Sequence, residues 1–383
     1  MTRNEIIIPT PKWDSKLAGV ILSLEKLRVQ KTWGNVPPHI FFQLKNIFHI
    51  LENLGSSRIE GNKTTISEYV EKIIENKTKA DEAEIEIANL EKAIEFIEEN
   101  VDENFTFTKM FFSELHKTVT KNLSPPPKGE GSRYPGKLRK INVSIAKSKH
   151  KPPDSLLLPE YFDNFLQFVN ASFKEQYQLL MVAIAHHRLT WIHPFDNGNG
   201  RVVRLFTYAL LIKLGFKVKE GRIINPSAVF YSDRQKYYEM LELADKMDKR
   251  SLLKWAEYFL TGLKNEMVKI DSLTNVDFVR NKILIPAINN ALKQNNINER
   301  EYKIIKYLLV KDSMSLKAEE LSKIGIKSSV QKSRTIRAMR EKNIVRPLEN
   351  RQRIYTINFA NSRLLRSVIK ILDEQGFISD FLK

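Results

Sequence analysis

The sequence predicts a mainly α-helical protein with one small β-hairpin in its middle and a compact basic module at its C-terminal end. Three observations predict this. Apolar residues recur at spacings of three and four in HIFFQLKNIFHILENL, AEIEIANLEKAIEFIEENV, LPEYFDNFLQFVN and QYQLLMVAIAHHRLTWI, the period of helices that bury one face. Prolines and glycines break that pattern across residues 122–153. After residue 295 the chain turns basic, and two short amphipathic runs are followed by an alternating one.

Taken in order, residues 1–100 read as an N-terminal helical region and 101–265 as a helical core. Within the core, NLSPPPKGEGSRYPGKLRKINVSIAKSKHKPP at 122–153 excludes helix, and the INVSI alternation predicts a strand of a basic β-hairpin flap. From 117 to 151 there are ten Lys or Arg and a single acid, Glu130. Residues 266–295, where periodicity weakens, read as a helical linker. Residues 296–383 form a second domain: SLKAEELSKI and SSVQKSRTIRAMREKNI as two helices split by a Gly-containing turn, then VRPLENRQRIYTIN as a hairpin.

At 383 residues and 42% hydrophobic content the chain can bury the cores of two or three domains. It has no cysteine, which excludes disulfides, thiolate nucleophiles and Cys-ligated zinc, and suits a reducing cytoplasm. No window approaches the ~18 uninterrupted apolar residues of a membrane span, and MTRNEIIIPTPKWD lacks the apolar stretch of a signal peptide. The expectation is a cytoplasmic protein with no membrane partner. A net charge of +17 favours polyanionic partners. The absence of a Gly-x-x-x-x-Gly-Lys-Ser/Thr run argues against a P-loop.

The densest chemistry lies in HPFDNGNGRVVR, residues 193–204. RVVRLFTYALLIKL is so apolar beyond its arginines that it reads as a buried helix, and Asn197-Gly198-Asn199-Gly200 as the turn that feeds its N-terminus. Glycines let successive N–H groups face one concavity, and the helix dipole adds positive charge there, so the turn can hold an anion. Arg201 and Arg204, three apart, share a face beside it, a pair suited to a di- or triphosphate. His193 can accept a proton near neutral pH.

HPFDNGNGRVVR resembles the signature of Fic-domain proteins, His-x-Phe-x-acid-Gly-Asn-Gly-Arg-x-x-Arg, and agrees at every fixed position except the acid. AHHRLTWIHPF, KPPDSLLLPEYFDNFLQF and SDRQKYYEMLELAD resemble flanking segments, so the resemblance covers residues 1 to about 265. It implies a Fic-type helical bundle and transfer of AMP from ATP to a Ser, Thr or Tyr hydroxyl of a target protein. By that match His193 deprotonates the hydroxyl and Gly198, Asn199 and Gly200 bind phosphates. Arg201 and Arg204 hold the β- and γ-phosphates, Phe195 anchors the core, and Tyr238 lines the adenine pocket. The flap clamps the target by strand addition. Asn197 stands where the family has a Mg²⁺-ligating acid, with Asp196 one step earlier, so Mg²⁺ is expected to be held more weakly. Asp245 stands where the family has asparagine.

Upstream, ENLGSSRIEGNKTT at 52–65 is similar to the inhibitory motif of one Fic class, matched by Ser56, Glu60 and Gly61. Gly61 reads as a left-handed cap that ends the helix, leaving Glu60 where the dipole disfavours a carboxylate. The resemblance makes Arg204 its partner, drawn away from ATP. His186 and His187 invite a zinc reading with His193 but lack a well-placed carboxylate as third ligand, and His186 reads as a structural partner beneath the site.

The C-terminal module resembles a winged helix-turn-helix domain. Between Lys317 and Arg353 it carries eleven basic and four acidic residues, with Gln331, Ser333, Arg334, Arg337 and Arg340 on the candidate recognition helix, which makes duplex DNA an expected partner. Two functions stand: a protein adenylyltransferase autoinhibited by Glu60, or a DNA-binding transcriptional regulator whose Fic-like domain senses nucleotide. Self-modification and a homodimer are left open.

Overall fold

The computed structural model describes residues 5–29, 34–75, 81–145, 150–217, 223–349, 351–360 and 363–383. Eight helices lead to the site: α1 (Lys16–Val29), α2 (Pro38–Glu60), α3 (Ile66–Glu75), α4 (Glu82–Asn100), α5 (Lys109–Thr120), α6 (Leu158–Asn170), α7 (Glu175–Ile192) and α8 (Asn199–Lys213). Then come α9 (Ser227–Tyr231), α10 (Arg234–Ala244) and α11 (Lys249–Asp271). Among the described residues no helix is long and apolar enough to cross a membrane.

α7 and α8 are buried on nearly every face and pack on each other, with α6 and α11 against α7, and α2, α4 and α5 against α8. Each large apolar side chain so enclosed contributes roughly 1.5–3 kcal/mol. This packing delivers the 193–204 turn to the point where the N-terminal helices meet the core. α2 begins with Pro38 at its first position, which needs no N–H there, and ends at Gly61 with φ 118°. The Gly61 N–H donates to Arg58 O at 3.1 Å and the Asn62 N–H to Ser57 O at 3.2 Å, a cap that only a residue free to take positive φ forms cheaply. Asp81 and Glu84 cap α4 reciprocally.

The hairpin expected at 122–153 does not form: among its described residues there is no strand. A strand needs a laddered partner, and here the backbone groups go elsewhere. The Gly131 N–H donates to Ser124 O at 2.8 Å and the Arg139 N–H to Pro194 O at 2.9 Å, while Ile141 O accepts from the Arg139 side chain at 3.1 Å. The described residues of the segment form an irregular loop against the site, and 146–149 lie outside the described residues.

Residues 266–295 are not a free tether. The end of α11, a 3₁₀ turn, α12 (Val276–Phe278), a π-helical stretch and α13 (Ile285–Lys293) bury Leu273, Val279, Ile283, Leu284 and Ile288. Next come α14 (Glu299–Val310), β1 (Ser315–Lys317), α15 (Ser329–Glu341), β2 (Val345–Leu348), β3 (Arg351–Ile357) and α16 (Leu364–Glu374). The strands form an antiparallel sheet in the order β1-β3-β2, with Ser315 opposite Thr356 and Val345 opposite Ile357. SLKAEELSKI, expected as one helix, is strand β1 followed by a 3₁₀ turn over Ala318–Ile324. Leu316 is buried in the sheet, which settles that run's first residues as strand. α13 packs on α16, and Gln43 of α2 donates to Ile357 O at 2.9 Å and accepts from the Phe359 N–H at 2.9 Å.

Candidate active site

His193 ends α7 in the left-handed conformation (φ 50°), with its N–H on Leu189 O at 3.1 Å. The turn that follows is tied internally. Asn199 accepts from the Phe195 N–H and donates to Phe195 O, both at 2.9 Å, so its side chain braces the turn. Phe195 stacks on His116, ring centroids 3.9 Å apart. The Gly136 N–H donates to His116 Nδ1 at 2.8 Å, so Nε2 carries the proton and donates to Asn197 O at 3.0 Å. Gly198, left-handed, caps α8, whose first N–H groups have no carbonyl from a preceding turn.

The two arginines of α8 diverge. Arg204, 1% exposed, donates to Ser56 Oγ at 2.8 Å, Ser56 O at 2.9 Å and Glu60 Oε1 at 2.7 Å. Burial pushes the Glu60 carboxyl up, but Arg204 and then Arg201 more than offset this and leave it below the usual range. A Cβ at Gly200 would stand 2.1 Å from Glu60 Oε1, so glycine there is what lets the carboxylate reach Arg204. Arg201, fully buried, lies 3.0 Å from Glu86 Oε1 of α4, and its Nη2 donates to Glu130 O on the 122–153 loop. Arg201, expected on phosphate, is thus engaged by protein groups. Asn62 Nδ2 donates to the other oxygen of Glu86, Oε2, at 2.9 Å.

His193 is half-buried, and burial together with the Arg139 cation pushes its imidazole down to about 4. The ring is therefore neutral at physiological pH and free to accept a proton. Tyr238, on α10, is 40% exposed and its hydroxyl donates to Ile59 O at 3.4 Å, which puts it beside the end of α2 and Glu60. Asp245 lies 2.9 Å from His187 Nε2 and 3.3 Å from His150 Nδ1.

A divalent cation does not fit the groups around Asn197. Its Nδ2 donates to Gly131 O at 3.0 Å and Glu130 Oε2 at 3.3 Å. The Asp196 carboxylate accepts from Ser132 Oγ at 2.5 Å and the Arg133 N–H at 2.9 Å, so its oxygens serve the loop. Among the described residues no group of three acids or histidines could hold a metal. His186 takes no part in one: Thr207 donates to Val203 O and so accepts from His186 Nδ1 at 2.7 Å, leaving Nε2 for the Tyr237 hydroxyl at 2.9 Å.

Residues 106–211 match the Fic/DOC family. That segment is a Fic domain. Protein adenylyltransferase Fic of Drosophila ananassae is 29% identical over 214 residues, which cover 54% of this chain and 38% of that protein. The Drosophila melanogaster protein of the same name is also 29% identical over 214 residues, 54% of this chain and 39% of its own. The chain thus spans less than two fifths of these curated relatives. A crystal structure of a Fic family protein from Desulfovibrio desulfuricans has the same fold, with TM-score 0.56 and 16% identity over 91% of this chain and 98% of that one. A Fic domain containing signaling protein from Bacteroides thetaiotaomicron gives TM-score 0.53 at 17% identity, over 68% of this chain and 98% of its own.

Around the Fic domain the geometry adds residues that sequence reading missed. Glu86 carried a signal, an acid on the apolar face shared with Leu90, Ala93 and Ile97 of α4. Glu52, on the Ser56–Glu60 face of α2, accepts from the Ser227 N–H at 3.0 Å, and burial pushes its carboxyl up to about 8. Arg139 carried no signal within its basic stretch. Arg334, Arg337 and Arg340 lie far along the chain on the exposed face of α15.

Proposed function

We propose that this chain transfers AMP from ATP to a Ser, Thr or Tyr hydroxyl of a protein, and that Glu60 restrains it. The observation that carries the reading is the meeting, in one place, of a neutral histidine, a glycine-bounded helix N-terminus and an arginine already held by a carboxylate from another helix. The names of the curated relatives support the same chemistry. His193 takes the proton of the attacking hydroxyl as its oxygen forms a bond to the α-phosphorus. The bond from that phosphorus to the bridging oxygen breaks, and pyrophosphate departs with the electron pair. Charge on the departing group is met by the α8 N–H groups and by Arg204 once Glu60 releases it. Position 197 offers an amide that donates to the loop, so it supplies no carboxylate for Mg²⁺. Tyr238 serves the adenine.

Incubation with ATP labelled at the α- or the γ-phosphate tests the reading. Protein labelled by the α label alone, in a mixed extract or on the chain itself, is the expected result. Labelling by the γ label alone would make it a kinase, and no labelling of the released form would leave a nucleotide sensor.

A second reading concerns α15. Arg334, Arg337 and Arg340 stand exposed there, with Arg351 and Arg353 exposed on β3 of the neighbouring sheet, an arrangement that supports a winged helix-turn-helix contact with duplex DNA.

A further inference from the structure

Arg139 is 3% exposed and, among the described residues, makes no hydrogen bond or ion pair to a carboxylate, the Asp154 charge acting on it only from beyond contact. A guanidinium buried in that way normally sits against an acid. Here all its bonds go to backbone carbonyls: Nε to His193 O at 2.8 Å, Nη1 to Ile141 O at 3.1 Å, and Nη2 to Pro153 O at 2.6 Å and Ile192 O at 3.4 Å. Its own N–H adds a bond to Pro194 O at 2.9 Å. The carbonyls of residues 192, 193 and 194 are therefore all held by one residue of the 122–153 loop. Those carbonyls lie at the C-terminal end of α7, where unsatisfied oxygens and the negative end of the dipole favour a cation.

We infer that Arg139 is the positioning residue of the site: by holding the peptide groups on both sides of His193 it sets that residue's left-handed backbone and thereby the direction of the imidazole. A non-glycine residue at positive φ persists only where its surroundings over-determine it, and the fixed fork of a guanidinium can meet several carbonyls at once. A lysine keeps the charge but offers a point and not a fork. The same guanidinium, after burial, also disfavours a proton on His193. Because Arg139 belongs to the loop, seating of the loop and aiming of the base are one event.

The inference rests on His193 being the base, and its test separates the two. In the full chain carrying Glu60→Gly, Arg139→Lys should lower kcat for AMP transfer about 100-fold and leave KM for ATP within about twofold, since misplacement acts on the attacking step. Histidine-labelled NMR on the same chains reads the ring directly. His193 should titrate near 4 in the parent and stay low in Arg139→Lys with an altered ring environment. In Arg139→Met it should rise only in part, because burial, the larger cause of the depression, remains. If the Glu60→Gly form transfers no AMP, the functional reading fails while the NMR arm still decides the role of Arg139. A folded Arg139→Lys with parental kcat overturns the inference. So does an Arg139→Met chain whose His193 ring resonances match the parent's, since a ring that has lost its positioning residue should move.

Discussion

The arginines of α8 and those of α15 use the same charge in opposite ways. Arg201 and Arg204 are closed off from water and each meets a carboxylate from a different helix, Glu86 at 3.0 Å and Glu60 at 2.7 Å. Arg334, Arg337 and Arg340 stand in solvent, and among the described residues Arg337 pairs with Glu341, one helical turn on, at 2.8 Å. Buried charges are poorly screened, and removing one partner strands the other at roughly 3–5 kcal/mol. Exposed charges act through a field that physiological salt screens within about 8 Å. In α8, then, charge sets geometry, and changes there should switch chemistry on or off. On α15 charge sets a field, and changes there should be graded and dependent on salt.

The largest effect should come at the base that the buried pairs surround. In a Glu60→Gly background, His193→Ala should lower AMP transfer by about 10²–10⁴-fold with ATP affinity nearly unchanged, read by single-turnover labelling and by nucleotide titration. Because the working form is the neutral ring and burial plus Arg139 push it down to about 4, the unmutated base should keep the rate flat through neutrality and lose it as pH falls through about 4. Equal loss of binding would move His193 from the chemistry to the nucleotide site.

Next in size is the release of Arg204. Glu60→Gly should raise transfer by at least about tenfold, a coupling of ~1.4 kcal/mol between the two side chains. Adding Arg204→Ala should erase the gain. A double variant as active as Glu60→Gly alone would mean that Arg204, though buried and paired, does not meet the departing phosphates.

How much of this was legible in the sequence follows the same division between local and distant order. The 193–204 turn and the Gly61 cap are legible because their residues are consecutive and each has a local backbone meaning. The helices are legible from their period. Arg139 is not, because its partner His193 is 54 residues away in the chain, and Glu86 shows only as an acid on an apolar face, with nothing to name its partner Arg201, 115 residues on. The failed hairpin has the same cause: Ile141 to Ile145 alternate correctly, but alternation says nothing of whether a second run will ladder with them. The first half of SLKAEELSKI misled for a related reason, since its strand partner is β3, about 40 residues on.

On the exposed side, residues 296–360 within the full chain should hold duplex DNA with a steep loss of affinity as salt rises. Arg337→Ala should weaken binding severalfold and lower the slope of log affinity against log salt by about one, if it meets one phosphate. Binding that ignores salt would mean that the α15 arginines face a protein.

The smallest effect tests whether a charge can be added next to the buried pairs without a partner. Asn197 now donates to Gly131 O at 3.0 Å and reaches Glu130 Oε2 at 3.3 Å, both on the loop that carries Arg139. Asn197→Asp removes that donor and turns a carboxylate toward two oxygens, so without metal it should lower stability by about 1 kcal/mol, seen as a melting point lower by a few °C. The new charge is also the ligand that the turn lacks. Millimolar Mg²⁺ should therefore recover part of the loss in Asn197→Asp and leave the melting point of the parent where it was. If Mg²⁺ stabilises the parent equally, the neutral donors already suffice for a cation, and the matched pairs at Arg201 and Arg204 are not all the charge this site accommodates.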